Sequence, residues 1–197
     1  MTQDMQQTYE LIWSRENNFS YEVARRVLDK PKISVWIILV PILFLYYAHK
    51  IQQYKAGIKD FGKGLARSKI VALDSAAEEV KTGKKDESFK EALATAQHTA
   101  PNALRVRDKQ IAEVELLKTH YDRLLCVRAA SYRDLIRQVY GTKADYRHFL
   151  EELAAIEKEV QEAVLHAYHP DDEARRIAHN MRTAMRVVRE EEMATLF

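Results

Sequence analysis

A chain of 197 residues carries 31 Lys and Arg against 29 Asp and Glu, and its net charge of +2 is too small for the broad basic footprint of a nucleic-acid binder. Five glycines and four prolines supply too little turn chemistry for a β-sandwich or an α/β protein of this length, so the expected class is all-α. The single cysteine, Cys126, excludes an internal disulfide and suits a reducing compartment.

Residues 1–32 read as an N-terminal helical arm. Met1 to Asn18 contain no apolar run, which argues against a cleaved signal peptide. Met5, Tyr9, Ile12 and Trp13 form one small face. Ser20 then offers a cap for a helix carrying Val23, Ala24, Val27 and Leu28 up to Pro31. So many apolar residues on a short arm predict that it docks on something.

The one strongly apolar run is Ile33 to Ala48, uncharged, with Ser34 its only polar residue. As a helix it reaches about 24 Å, slightly less than a hydrocarbon core of about 30 Å. Trp36, Tyr46 and Tyr47 near its ends fit an aromatic belt, Phe44 lies inside it, and Lys30, Lys32, His49 and Lys50 can snorkel. Pro41 at its middle predicts a kink. The reading is a single transmembrane helix over 33–49; the alternatives are a buried core helix and a monotopic wedge bent at Pro41 with both ends on one side. Basic residues flank the run almost evenly: Arg15, Arg25, Arg26, Lys30 and Lys32 before it; Lys50, Lys55, Lys59, Lys63, Arg67 and Lys69 after it. The count decides little, but fewer acids dilute the second set, and the larger size of the C-terminal part with its free cysteine places that part in the cytoplasm.

Residues 50–73 carry two stripes. Ile51, Tyr54, Ile58, Phe61 and Leu65 recur at helical spacing, and Lys55, Lys59, Lys63 and Arg67 recur every fourth residue beside them, with Lys50 just before. An apolar face beside a cationic face predicts an amphipathic juxtamembrane helix lying on a bilayer with anionic headgroups. The other reading packs the apolar stripe on protein and leaves the lysines in water.

Residues 74–100 read as a connector with short helices, one capped by Ser75 with Glu78 three residues on and one carrying Phe89, Leu93 and Ala96. Residues 101–197 read as a three-helix antiparallel bundle or coiled-coil hairpin. Its first helix is predicted to run from Asn102 to Gly141 without a break, with a seam of Ile111, Val114, Lys118, Tyr121, Leu125, Arg128 and Tyr132. The second carries Tyr146, Leu150, Leu153, Ile156 or Glu157, Val160 and Val164 to Pro170; the third starts at Asp171 and Asp172 and carries Ile177, Met181, Met185 and Val188. The first helix overhangs the second, which predicts an apolar seam to be met by the connector or by another subunit.

No Glu-x-x-His pair, glycine-rich phosphate loop, nucleophile elbow or dinucleotide fingerprint occurs, so no catalytic, cofactor or metal site is predicted. His166 and His169 have the spacing of a shared metal site but sit at a helix C-terminus, where an imidazolium is favoured anyway. Cys126, between Arg123 and Arg128, reads as structural. The expected function is a non-catalytic, single-pass membrane scaffold or accessory subunit, with itself or a membrane-complex subunit as partner. A transmembrane relay and a redox subunit with a shared cofactor are the alternatives.

Overall fold

The computed structural model describes residues 2–28, 41–95, 103–168 and 171–197. Within them the chain is all-helical, without strands: α1 (Gln3–Val27), α2 (Pro41–Thr82), α3 (Ser88–Thr95), α4 (Ala103–Leu125), α5 (Tyr132–Tyr140), α6 (Lys143–Tyr168) and α7 (Asp172–Leu196). Local chemistry accounts for the ends. Thr2 caps α1, accepting from the Met5 amide, with Asp4 in its first turn and Arg25 and Arg26 in its last. Asp171 caps α7 by accepting from the Ala174 amide at 2.8 Å. Pro41 is the first described residue of α2.

α2 is 42 residues long and forms the spine, with α1 along one side and α4 along the other. α1 and α2 run antiparallel: Tyr9 donates to Asp74 at 2.6 Å near one end, and Leu28 reaches Gly57 near the other. The approach is close enough to demand glycine. A methyl group at Gly62 would stand 2.7 Å from the Tyr21 ring. α4 and α6 are also antiparallel, as the Lys109 and Glu159 pair and the stacking of His120 on Phe149 show. α7 packs on α1, and short α5 touches α1, α4, α6 and α7 at one end of the bundle. α6 and α7 make only limited contact with one another.

Two apolar clusters hold the helices. The larger joins Ile12 of α1, Leu73 and Ala76 of α2, Leu117, Tyr121 and Leu124 of α4, Leu135 and Ile136 of α5, Tyr146 and Leu153 of α6, and Leu196 of α7. The smaller joins Phe19, Val23 and Val27 of α1 to Ala184, Met185 and Val188 of α7, with Phe61 and Leu65 of α2 against it.

The fold differs from the sequence reading in three respects. α1 is one continuous helix, and Ser20 lies fully buried within it rather than at a cap. The arm and the juxtamembrane helix belong to the bundle, so the predicted three-helix domain is larger. The long seam helix is two helices, because Ser131 accepts from the Asp134 amide and opens α5 afresh, while Gly141 at φ 72° closes it. α5 folds back over the core, and the predicted overhang is covered within the chain.

Among the described residues no helix is long and apolar enough to cross a membrane. Of the predicted span, Ile33 and Trp36 lie outside the described residues. Pro41, Phe44, Tyr46 and Tyr47, with Lys50 and Ile51, lie in the first turns of α2. The single-pass topology requires the arm and the C-terminal part to lie on opposite faces of a bilayer. α1 is instead built into the core beside α2, α4, α5 and α7, with Ile12 and Val23 at zero exposure, so the described residues on both flanks of the apolar run belong to one folded body.

Candidate functional site

The apolar stripe of α1 reads Met5, Thr8, Ile12, Glu16, Phe19, Val23 and Val27, and places one carboxylate on the core-facing side. Comparable positions on other helices bring in Lys69 of α2, Glu157 of α6 and Arg189 of α7. A buried ion cluster results. Arg189 grips Glu157 with two parallel bonds, both of 2.7 Å, and Lys69 reaches the same carboxylate at 3.3 Å. Arg15 binds Glu16 at 2.5 Å and Glu192 of α7 through a second two-pronged contact. Phe19 sits at the hub, its ring 5.1 Å from the Arg15 guanidinium and 5.4 Å from both Lys69 and Arg189.

Burial by itself would raise the Glu157 carboxyl, but Arg189 and Lys69 outweigh it and hold the group below the ordinary carboxylate range. Glu16 is likewise raised by burial and then pulled below its ordinary value by Arg15 and Lys69. Burial works against the charge on Arg189 and Arg15, yet their carboxylates keep both firmly protonated. Three cationic side chains, Arg15, Lys69 and Arg189, thus lie against three carboxylates, Glu16, Glu157 and Glu192. Such a cluster ties α1, α2, α6 and α7 together.

Two buried groups stand apart from this cluster. Glu113 of α4 accepts from Ser68 at 2.9 Å, and burial drives its carboxyl above the ordinary value. His120 is held by Tyr140 at 2.7 Å and stacked on Phe149 at 4.2 Å. Burial pushes its pKa down to about 3, so it is a neutral part of the core.

Lys69, Glu113, Glu157 and Arg189 also floor a cleft of about 1020 Å³ between α6 and α7. Val160, Val164 and Leu165 form one wall; Ile177, Met181 and Met185 form the other. Among the described residues no group of three or more His, Cys, Asp or Glu side chains could hold a metal ion.

The predicted lipid-contact and seam residues are placed as follows. Lys55, Lys59, Lys63 and Arg67 are exposed on α2. Tyr54 and Ile58 are half-buried, and Phe61 and Leu65 pack against the Phe19 cluster, so their apolar contacts are with protein. In the seam, Val114, Tyr121 and Leu125 are buried, and Ile111 and Tyr132 pack against the same core. Lys118 is buried on Glu79 at 2.5 Å, while Arg128 is exposed and pairs with Asp4 at 2.8 Å. Cys126 is exposed just beyond α4; His166 is exposed on α6, and His169 lies outside the described residues.

The ion cluster was not among the predicted sites. Its signal is nonetheless present: Glu16, Lys69, Glu157 and Arg189 each occupy a position where three-four spacing calls for an apolar side chain. The chain matches no protein-family model, no curated protein and no solved structure.

Proposed function

We propose that this protein is a non-catalytic, membrane-anchored helical scaffold or accessory subunit, fixed by the run Ile33 to Ala48 as a monotopic wedge, with its helical body on the cytoplasmic face. The observation that carries the reading is the packing of α1. It enters the same core as the helices that follow the apolar run, so the described residues before and after the run belong to one folded body. The uncharged run Ile33 to Ala48 ends in the first turns of α2, and for so apolar a stretch a bilayer interface is a natural place of burial.

The surface of α2 supports the same placement. Lys55, Lys59, Lys63 and Arg67 are exposed, and Trp13, itself 45 % exposed, shares a shallow depression with Lys63, Arg67 and Tyr21. Cations beside an amphipathic aromatic suit an anionic headgroup layer, each cation contributing about 1 kcal/mol near the surface. The ion cluster ties four helices together, which supports a structural role for the core. A transmembrane relay would need its two flanks on opposite faces, which the packing of α1 opposes.

Membrane-impermeant thiol labelling of the full-length protein in oriented membrane vesicles tests the topology. Native Cys126 reports the body, and Asn18→Cys in a Cys126→Ser background reports the arm. Labelling of both from the cytoplasmic face is expected. Protection of one from the side that labels the other would sink the monotopic reading, and a protein that leaves the membrane in a salt wash would sink the anchor.

A further inference from the structure

The cleft between α6 and α7 is larger than the packing of the bundle requires. The two helices diverge over the stretch where α6 rests on α4 and α7 rests on α1, and the floor between them is α2 at Gly64, Leu65, Ser68 and Lys69. Its apolar walls stay half-exposed: Val160, Val164 and Leu165 on α6, and Ile177, Ala178 and Met181 on α7. Three of the chain's five methionines, Met181, Met185 and Met193, line it, and methionine gives a wall that adapts to a flexible ligand.

Two features identify what would complete it. Gln161 is only 7 % exposed, and its amide nitrogen is committed to the Ala178 carbonyl at 2.7 Å, while its amide oxygen has no partner. A buried acceptor without a donor calls for a ligand hydroxyl or N–H. Along the rim, Arg147, Arg182 and Arg186 form no ion pair among the described residues, unlike the arginines of the core. Arg182 and Arg186 are one turn apart on α7, and Arg182 follows one turn after Ala178, to which Gln161 is bonded. Cations and an unmet acceptor thus lie together at the edge of an apolar trough.

An unmet buried acceptor beside cations at the rim of an apolar trough suits a small amphiphile, and the α6 wall from Leu150 to Leu165 runs about 22 Å, long enough for an extended acyl chain. A volume near 1000 Å³ lies at the upper end for small-molecule pockets and suits a long flexible chain.

We propose that the cleft between α6 and α7 binds one molecule of an anionic, hydroxyl-bearing glycerophospholipid. The acyl chain lies along Val164, Ile177, Met181 and Met185, the phosphate meets Arg182 and Arg186, and a glycerol hydroxyl donates to Gln161. The inference deepens the membrane reading, since a monotopic body sits where such lipids are at hand. The cleft itself is formed by described residues of α2, α4, α6 and α7, so it can be tested independently of the anchor.

The experiment is native mass spectrometry of delipidated full-length protein titrated below micelle formation with lysophosphatidylglycerol of one saturated long chain. Lysophosphatidylcholine of the same chain and glycerol 3-phosphate serve as comparison probes. Saturable one-to-one binding of lysophosphatidylglycerol is expected, weakened by about tenfold or more in Arg182→Glu/Arg186→Glu. Met181→Trp, which fills the trough, should lower binding of both lysolipids. Equal binding of the choline and glycerol lipids, undiminished binding in Arg182→Glu/Arg186→Glu, or equal affinity for glycerol 3-phosphate would each overturn the proposal. Vesicle flotation of the same variants separates the two readings: they should still float through the anchor, whereas loss of flotation with retained lysolipid binding would defeat the anchor and leave the cleft standing.

Discussion

Glu157→Gln is the most informative single substitution in the bundle. The wild-type carboxylate takes two bonds of 2.7 Å from Arg189 and one of 3.3 Å from Lys69, and the three side chains are 14 %, 8 % and 2 % exposed. Glutamine keeps the shape and removes the charge, leaving two buried cations without their shared anion. Breaking a buried pair on one side costs about 3–5 kcal/mol. Lys69 retains Glu16 in its field and both cations retain the Phe19 ring, so a value near the lower end, about 3–4 kcal/mol, is expected. For a chain of this size that corresponds to a fall of about 6–16 °C in Tm. Thermal and urea melts followed by far-ultraviolet circular dichroism measure it. The triple variant Lys69→Met/Glu157→Met/Arg189→Met should recover much of the loss, because apolar groups of similar volume commonly replace a buried ion cluster at little cost. Glu159→Gln, which breaks the exposed pair with Lys109 between α4 and α6, should leave the melt unchanged. A Glu157→Gln protein that melts within about 2 °C of the parent would refute the argument that this cluster joins α2, α6 and α7.

His120 predicts an acid limb. Its folded pKa of about 3 lies below the ordinary 6.5, so stability is fully present above pH 6.5 and declines as the unfolded chain takes up the proton, by about 2 kcal/mol at pH 5. Urea midpoints between pH 5 and 7 should fall less steeply for His120→Gln than for the parent, and parallel slopes would exclude the assignment. Glu113 has the opposite sign: its folded pKa is raised above the ordinary 4.5, so its contribution is present below that value and is lost as pH rises through the folded one. Glu113→Gln should therefore gain on the parent between pH 5 and 7, and a constant difference would contradict it. At the contact of α1 with α2, Gly62→Val should destabilise by about 1–3 kcal/mol through overpacking on Tyr21, while Gly64→Ala, with open space around it, should stabilise by about 0.5–1 kcal/mol in the same melts. Equal effects at the two glycines would show that close approach is not what selects Gly62.

The all-helical class, the ends of α6 and α7 and the amphipathic character of α2 were legible because they rest on local rules: spacing, an aspartate cap and scarce glycine and proline. The break between α4 and α5 was equally local, since Ser131 and Asp134 have capping-box spacing, but apolar residues continue through 121–139 and hid it. The ion cluster was hidden for a different reason. A single charged residue in an apolar stripe can snorkel to the surface or find a buried partner, and four helices far apart in sequence must converge before the second outcome is visible. Lys118 illustrates the ambiguity, for on the seam it could have specified a partner chain, whereas Glu79 of its own chain meets it.

The arm was the least legible element, and it has the largest functional consequence. Its stripe of Met5, Ile12, Phe19 and Val23 demanded a docking surface without naming one. The cluster supplies the missing selectivity: Arg15 on Glu192, Glu16 in the field of Lys69, and the Phe19 ring among three cations tie α1 to α2 and α7, which both follow the apolar run in sequence. Apolar stripes alone could pair α1 with several faces. The charge pattern admits one, because any shifted register would bury at least one unmatched ion at a cost of several kcal/mol. The ion cluster thus fixes where the N-terminal helix packs against the helices that follow the apolar run.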